Sequence, residues 1–493
     1  MKNRNFNRGL AADIIFALAA GMLLPSCGSG EAEITTADAT AAETAEVIYA
    51  DYGGMEFRVL NFDQLWNMCF TLDSAEMTGE PLNDAIYLRN RQAEDKLNFK
   101  FVEKKYTNSG NDEKALINHA KTSIMAGDDE WDVMYLPIKV DIDLITGGYL
   151  TELSSLPELN LDAEWWDAGV NAAMSYKGRL YTATGALHLM AYDCTPVLLF
   201  NENMAADLKL ELPYDAVRAG EWTVERMISY CKAAASLNGD DNFSWKKDGQ
   251  AVYGLSAHPS VLPRFVFAAG EKLADFDDGG NIIYSLGRER SFDALEKLGE
   301  LLGTGDGTTI KASWDDFNAE NGGYQYIFAC GRAMFTNVEL KATQQLRDMR
   351  DTFGVLPYPK LDEAQEEYTI PVSPYYFTIP STCSNISDTA AIAEFLTRSS
   401  FESVLPVYNQ TVVEQKGLRN EESIEMLNII RKSRTVDIAE QYNLDGSFRS
   451  QLGSNLFAGD PKLASLLAQH MPAIEAQIEK LTGYLESSGS QAG

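Results

Sequence analysis

Gly178 to Ala206 reads GRLYTATGALHLMAYDCTPVLLFNENMAA. It opens on a short strand-like run, Leu180-Tyr181-Thr182-Ala183-Thr184. A second apolar run, Val197-Leu198-Leu199-Phe200, stops at the polar triplet Asn201-Glu202-Asn203. β-branched and aromatic residues bounded by Gly and Asn predict buried strand pieces. Farther on, Glu221-Trp222-Thr223 leads into a helical pattern of Val224, Met227, Ile228, Cys231 and Ala234. Thr223 is the expected N-cap, and Glu225 in the first turn complements the positive end of the helix dipole.

Toward the N-terminus the pattern alternates. Glu56 to Phe62 predicts a strand, Asn83 to Leu97 an amphipathic helix, Asn98 to Glu103 a strand, Glu113 to Met125 a helix, and Trp131 to Leu136 a strand closed by Pro137. Strand, helix, strand, helix, strand implies a parallel sheet covered by helices. Toward the C-terminus, Val252 to Ser256 predicts a strand and Phe265 to Lys272 an apolar helix ending at Gly270. Asp275 to Tyr284 predicts a hairpin around Asp277-Asp278-Gly279-Gly280-Asn281. Phe292 to Leu302 predicts another helix. Ile424 to Ile430 and Leu463 to Leu481 carry helical patterns in the tail.

A chain of 493 residues is too long for one simple core and suits two lobes. The formal net charge of −31, from 41 basic and 72 acidic residues, argues against nucleic acid or an anionic membrane surface as partner. At the N-terminus Lys2, Arg4 and Arg8 precede an apolar run, Ile14 to Leu24, too short to span a bilayer. Leu24-Pro25-Ser26-Cys27 follows and resembles the lipobox of bacterial lipoproteins, with Pro25 where a small residue is usual. On that reading residues 1–26 are a signal peptide and Cys27 is lipidated. An ordinary signal peptide with a chance Cys is the alternative. Residues 27–51 are rich in Ala, Thr and Glu and predict a disordered tether. The remaining cysteines, Cys69, Cys194, Cys231, Cys330 and Cys383, show no CxxC pair and read mostly as small buried apolar residues, with disulfides among them left open by the sequence.

Signatures of catalysis mostly fail. HExxH, GxSxG and a Walker loop do not occur. The four His residues, His119, His188, His258 and His470, are far apart, so neither a metal site nor a His-based triad is expected. Asp275-x-Asp277-x-Gly279 lacks the later oxygen ligands of a calcium loop. Gly303 to Gly307 follows a helix, not a strand, so it reads as a loop and not as a dinucleotide site. Paired carboxylates for glycoside hydrolysis are available in principle: Asp162, Glu164 and Asp167 beside Trp165-Trp166, and Asp128-Asp129-Glu130 beside Trp131. In so acidic a chain they read as solvated loops. No cofactor is expected.

The order of several motifs resembles bacterial extracellular solute-binding proteins of ABC importers, the sugar-binding, maltose-binding-protein-like kind. Lys177-Gly178-Arg179-Leu180-Tyr181, Leu198-Leu199-Phe200-Asn201 and Trp222-Thr223 follow the family's first inter-lobe crossing. Phe328 to Phe335 (FACGRAMF) is similar to its "F-x-x-G-(K/R)-x-A-M" strand, at which the return crossing begins. Phe353 to Pro359 and Phe377 to Pro380, with the helix to Ser399, match later steps. The resemblance covers roughly Phe57 to Ser400. It implies a two-lobed α/β fold of the periplasmic-binding-protein kind, each lobe a mainly parallel sheet flanked by helices, with a ligand cleft between lobes. Lobe 1 would comprise 52–188 and 338–398, lobe 2 189–337 and 399–485, and 486–493 a tail. The crossings would lie near Thr184 to Met190 and Phe335 to Val338.

A cleft for sugar needs flat rings and directional polar groups, and open α/β sheets bind beyond the carboxyl ends of their strands. The candidates at such places are Asn61, Asp63, Trp66, Tyr135, Thr184, His188, Arg264, Asn337, Glu339, Tyr375 and Tyr376. The resemblance implies a monomeric, lipid-anchored binder on the outer face of the cell membrane. It would perform no catalysis and would deliver a small solute, best guessed as a carbohydrate, to an ABC permease. A secreted glycoside hydrolase and a peptide receptor of the same architecture are the alternatives.

Overall fold

The computed structural model describes residues 50–62, 71–107, 112–137, 142–303, 305–313, 318–414 and 421–489. Cys27, Asp63 and Trp66 lie outside these, as do the expected signal peptide and nearly all of the expected tether. β1 (Met55–Phe62), β2 (Phe99–Tyr106) and β3 (Val133–Leu136) alternate with the helices Pro81–Leu97 and Glu113–Ala126, as the apolar periodicity predicts. The second of these helices is capped by Asp112, whose side chain accepts from the backbone of Lys114 and Ala115, and ends at Gly127 with φ 77°.

The chain then forms β4 (Pro196–Asn201), β5 (Tyr253–Ala257), the hairpin β6 (Ala274–Phe276) and β7 (Ile282–Tyr284), β8 (Thr309–Lys311), β9 (Ala333–Glu339) and β10 (Phe353–Leu356). Last come β11 (Ile370–Pro371), β12 (Tyr376–Thr378) and β13 (Arg434–Thr435).

Two principal sheets result, ordered β2-β1-β3-β12 and β8-β5-β9-β4-β10. In each, a first strand lies between the second and third, all parallel, and the next neighbour runs antiparallel. The antiparallel member of each sheet is supplied by a distant part of the chain, β12 for the first and β4 for the second. Each lobe therefore has one strand, β1 or β5, from which the chain winds in both directions. A crevice at the carboxyl end of such a strand is the usual ligand position of open α/β sheets.

The first passage between lobes is 184–195. Ala183 exchanges backbone hydrogen bonds with Phe377 of β12 (3.0 and 2.7 Å), and β4 begins at Pro196. The expected strand Leu180–Thr184 does not form. Leu180 O accepts from Leu153 N while Ala183 pairs with Phe377, so successive residues serve different partners and no ladder develops.

Three other expectations are corrected. Phe335–Val338 is not a crossing but the middle of β9, paired on one side with β4 and on the other with β5. The chain remains with the second sheet through β10, so the return passage is 357–375 rather than a boundary at 338. Phe328 and Ala329 end a helix, Tyr324–Ala329, and the strand starts only after Gly331 at φ 75°. Residues 486–489 are no tail but the last turn of the helix Leu463–Gly489.

A third passage is helical. The helix Ile386–Ser399 continues as π-wound turns at Ser400–Val404 and Asn409–Glu414 on either side of Leu405–Tyr408. A small apolar cluster seals this region: Leu82 and Ile86 from the first lobe, Ala186, Leu189 and Tyr192 from the first passage, and Val404, Leu405 and Tyr408 from the third. Among the described residues no helix is long and apolar enough to cross a membrane.

Candidate functional site

At the carboxyl end of β1, Asn61 is fully buried and uses both ends of its amide. Its Nδ2 donates to Glu103 (2.6 Å), and its Oδ1 accepts from Phe62 N (2.8 Å). The same Oδ1 lies 3.1 Å from Nε2 of His188, which arrives from the first passage. Because Oδ1 only accepts, Nε2 is assigned the proton. Burial pushes the His188 pKa down to about 3, so the ring is neutral at physiological pH. Tyr135 packs 4.6 Å from that ring and Tyr375 5.8 Å, and Tyr375 in turn stacks on Phe62. Four of the expected residues, Asn61, Tyr135, His188 and Tyr375, thus form one group.

Glu103 also accepts from the hydroxyl of Thr71 (2.8 Å) and from the backbone of Leu72 and Asp73 (3.1 Å each). Arg89 donates to the Leu72 carbonyl and to Ser400 Oγ (2.6 Å). Burial lowers its pKa to about 10, which leaves it charged. Glu103 and Arg89 fasten the stretch 71–73, just beyond Asp63 and Trp66 in the chain. Neither was foreseen: Glu103 sits on an alternating strand and Arg89 inside an ordinary amphipathic helix.

A second group stands at the carboxyl end of β9. Glu339 pairs with Arg264 (3.1 Å) and with Lys341 (3.0 Å), each side chain between 17 and 24% exposed. Burial alone would raise the Glu339 carboxyl; Arg264 and Lys341 outweigh it and hold it below the ordinary range. An ionised carboxylate clamped by two cations makes strong directional hydrogen bonds to hydroxyls. It is a poor general acid, because it does not hold a proton near neutral pH. Asn337 is fully buried on the same strand, and Tyr358 faces it and Arg264. Lys341 was missed: it lies in the 3-10 turn Leu340–Gln344 that follows β9, where no strand periodicity marks it.

Two candidates join neither group. Thr184 fixes the start of the first passage with its backbone: its N donates to Asn171 Oδ1 (2.9 Å) and its carbonyl accepts from Asp167 N (2.9 Å). Tyr376 is buried toward Glu440, Tyr442, Asp167 and Arg434, since neighbouring strand residues point to opposite faces and Tyr375 takes the other.

The carboxylates considered for hydrolysis have other work. Asp129 binds Arg58 (2.9 Å) and Ser384 (2.6 Å), and Asp167 pairs with Arg434 (2.9 Å). Asp162 and Glu164 are exposed. Asp277 closes its own turn by accepting from Gly279 and Asn281 (2.8 Å each). A surface groove of about 540 Å³, lined by Phe292, Leu295 and Leu463 among others, shares no residue with either group.

Between the two groups lies Asp193, the last residue of the short helix Met190–Asp193 in the first passage. Its carboxylate accepts from Tyr408 Oη (2.8 Å) and feels both Lys341 and Glu339. Burial raises its pKa to about 6. An acid whose folded pKa exceeds its unfolded value favours the fold at low pH. That contribution is lost as pH rises from about 4 to about 6, and stays lost above. Asp193→Asn keeps an acceptor for Tyr408 and removes the titration. Relative to the variant, the parent is expected to lose up to about 3 kcal/mol across that window. Urea midpoints of both proteins at pH 4 to 7 check it. Parallel curves would mean that Asp193 does not titrate there.

Two lobes built on one plan, with polar side chains at strand ends of both sheets, place the chain in the two-lobed periplasmic-binding-protein class of folds. Solved structures of that class superpose on the chain over nearly their whole length. The GacH receptor of Streptomyces glaucescens, described unliganded and with acarbose, is 15% identical with TM-score 0.51, over 87% of this chain and 99% of that one. The ABC substrate-binding protein Lmo0181 from Listeria monocytogenes, in complex with cycloalternan, is 13% identical with TM-score 0.51, over 88% and 99%. UgpB from Mycobacterium tuberculosis, in complex with glycerophosphocholine, is 14% identical with TM-score 0.51, over 83% and 99%. Each resembles this chain in fold. No protein-family model and no curated protein matches the sequence.

Proposed function

We propose that the protein is an extracytoplasmic substrate-binding lipoprotein that captures a carbohydrate between its lobes and passes it to an ABC importer. The observation that carries this reading is the paired arrangement of polar groups. Asn61, His188, Tyr135 and Tyr375 stand at the carboxyl end of β1, and Arg264, Glu339 and Lys341 at that of β9. Rings together with ionised and amide hydrogen-bonding groups are what a sugar needs. The similar structures with acarbose and cycloalternan support a saccharide, and the one with glycerophosphocholine shows that the fold also serves a different polar solute. Hinge closure over the ligand follows from the passages that join the lobes. Cys27 would carry the lipid, several acyl chains on one Cys making the attachment stable. The chain acts by binding alone.

A thermal-shift screen over mono- and oligosaccharides, short peptides and cations tests this. A ligand bound by the folded state raises the melting temperature by mass action. A rise of several degrees with one saccharide series, the sugar recovered intact afterwards, is the expected result. Cleaved sugar would identify a hydrolase, and a shift with peptides alone would replace the substrate class. In cell fractions from the same expression, Cys27→Ala moves the protein from the membrane to the medium if the anchor is as proposed.

A further inference from the structure

The helix Leu463–Gly489 reaches from one lobe to the other. Its first turns belong to the second lobe. Leu463 and Leu466 are buried there, and His470 sets its ring on Phe448 at 5.8 Å. Leu467 covers Gly287 so closely that a Cβ on that glycine would stand 2.9 Å from it. The helix carrying Phe448 is fixed to the same lobe, with Gly453 pressed on the Pro259 carbonyl just after β5.

The last turns lie on the first lobe. Lys480 pairs with Asp143 of the helix Ile142–Thr146, and Glu486 pairs with Lys177 (3.1 Å) and accepts from Tyr176 Oη (3.1 Å). Arg179 donates to the Leu485 carbonyl, and Leu481 and Leu485 are buried. The segment 150–180 is tied to the first sheet through Thr151 N to Ile379 O (2.9 Å) and Leu153 N to Leu180 O (2.7 Å).

We propose that the last turns of this helix are a strap that holds the first lobe to the second, so that the lobes move apart only when the strap lets go. The contacts fall into two kinds. The apolar ones at Leu463, Leu466 and Leu467 are buried within one lobe and do not change when the lobes move. Those on the first lobe combine the buried Leu481 and Leu485 with the ion pairs of Lys480 and Glu486, whose side chains are 48% and 60% exposed. Exposed ion pairs are individually weak. On a firmly rooted helix whose far end is also seated by two buried leucines, these pairs set how readily the last turns come away from the first lobe. A ligand then has to shift the lobe equilibrium only by its differential affinity for the two arrangements. The inference holds whatever the ligand is.

The test needs no ligand. Cysteines at Met125 in the first lobe and Leu208 in the second, both exposed, carry spin labels in the full chain, with Cys330→Ser to remove the exposed thiol among the described residues and Cys27→Ser and Cys69→Ser to remove the two outside them. The variant Lys480→Glu with Glu486→Lys turns both pairs repulsive. It is expected to change the ratio of the two lobe arrangements by roughly fivefold, moving the distance distribution away from that of the parent. Adding Asp143→Lys and Lys177→Glu restores both pairs with signs exchanged and returns the distribution. All four side chains are at least 38% exposed, so these variants fold. An unchanged distribution in the charge-reversed protein, or no recovery in the exchanged one, overturns the strap.

Discussion

Arg434→Ala is expected to lower the folding stability by about 3–5 kcal/mol, the range for removing one partner of a buried ion pair. Arg434 lies on β13 with its side chain 2% exposed, and Asp167, its partner at 2.9 Å, is 13% exposed. The guanidinium also donates to the carbonyl of Ala191 (2.6 Å) and stacks on Tyr192 at 4.8 Å. One side chain therefore joins three pieces: the C-terminal region through β13, the first passage through Ala191 and Tyr192, and the first lobe through Asp167. Alanine leaves a nearly dry carboxylate and a carbonyl without their donor.

Lysine keeps the charge but offers neither a planar face for Tyr192 nor a fork for two acceptors, so Arg434→Lys should fall between. Arg434→Met with Asp167→Leu removes both charges and is expected to recover most of the loss, because the penalty belongs to the orphaned ion. Urea unfolding followed by both fluorescence and circular dichroism provides the measurement, since two lobes need not unfold as one unit. A loss below about 1 kcal/mol for the alanine variant would mean that water reaches Asp167 and that the pair behaves as a surface bridge.

The frame of each lobe was legible because its signals are local. The β1–β3 unit showed period-two strands and period-3.6 helices, and each fell where the pattern placed it. Thr223 was readable as a cap, and its hydroxyl accepts from Arg226 N at 3.4 Å. The hairpin at Asp277 to Asn281 was readable from turn chemistry alone.

What failed was non-local. Leu180–Thr184 has strand composition, yet a strand needs one continuous neighbour, and composition does not say whether one exists. Phe335–Val338 was placed in a passage, but its pairing with β4 and β5 depends on residues more than 70 positions away. The site shows the same division. Asn61 and Tyr135 could be nominated from strand ends, His188 and Glu339 from the expected crossings, and Arg264 from the start of an apolar helix. Arg89, Glu103, Lys341 and Asp193 act through partners that only the folded chain brings near. Tyr375 and Tyr376 were indistinguishable in sequence, and strand alternation sends one to the His188 group and the other away from it.

Glu394→Ala should cost about 2–4 kcal/mol, for a reason that also bears on the neighbouring tryptophans. The Glu394 carboxylate accepts from the indole nitrogens of Trp165 and Trp166 (2.7 Å each) and from Asn160 N (3.1 Å). Trp166 is almost wholly buried, so alanine leaves its N–H without a partner and without water. Glutamine is the sharper probe. Its carbonyl oxygen serves one indole, but its amide nitrogen then presents N–H to the other, donor against donor. Glu394→Gln is therefore expected to lose about half as much as the alanine variant, where a merely space-filling side chain would lose nothing. Tandem tryptophans beside acids invite a reading as a sugar platform. Yet Arg398 lies over the face of Trp165 at 5.2 Å, and Trp166 meets Phe377 edge-on at 5.3 Å. With both rings so engaged, Glu394→Gln should shift the tryptophan emission and lower the urea midpoint while leaving saccharide-induced stabilisation as large as in the parent. Loss of that stabilisation at unchanged fold would instead place Trp165 and Trp166 against the ligand.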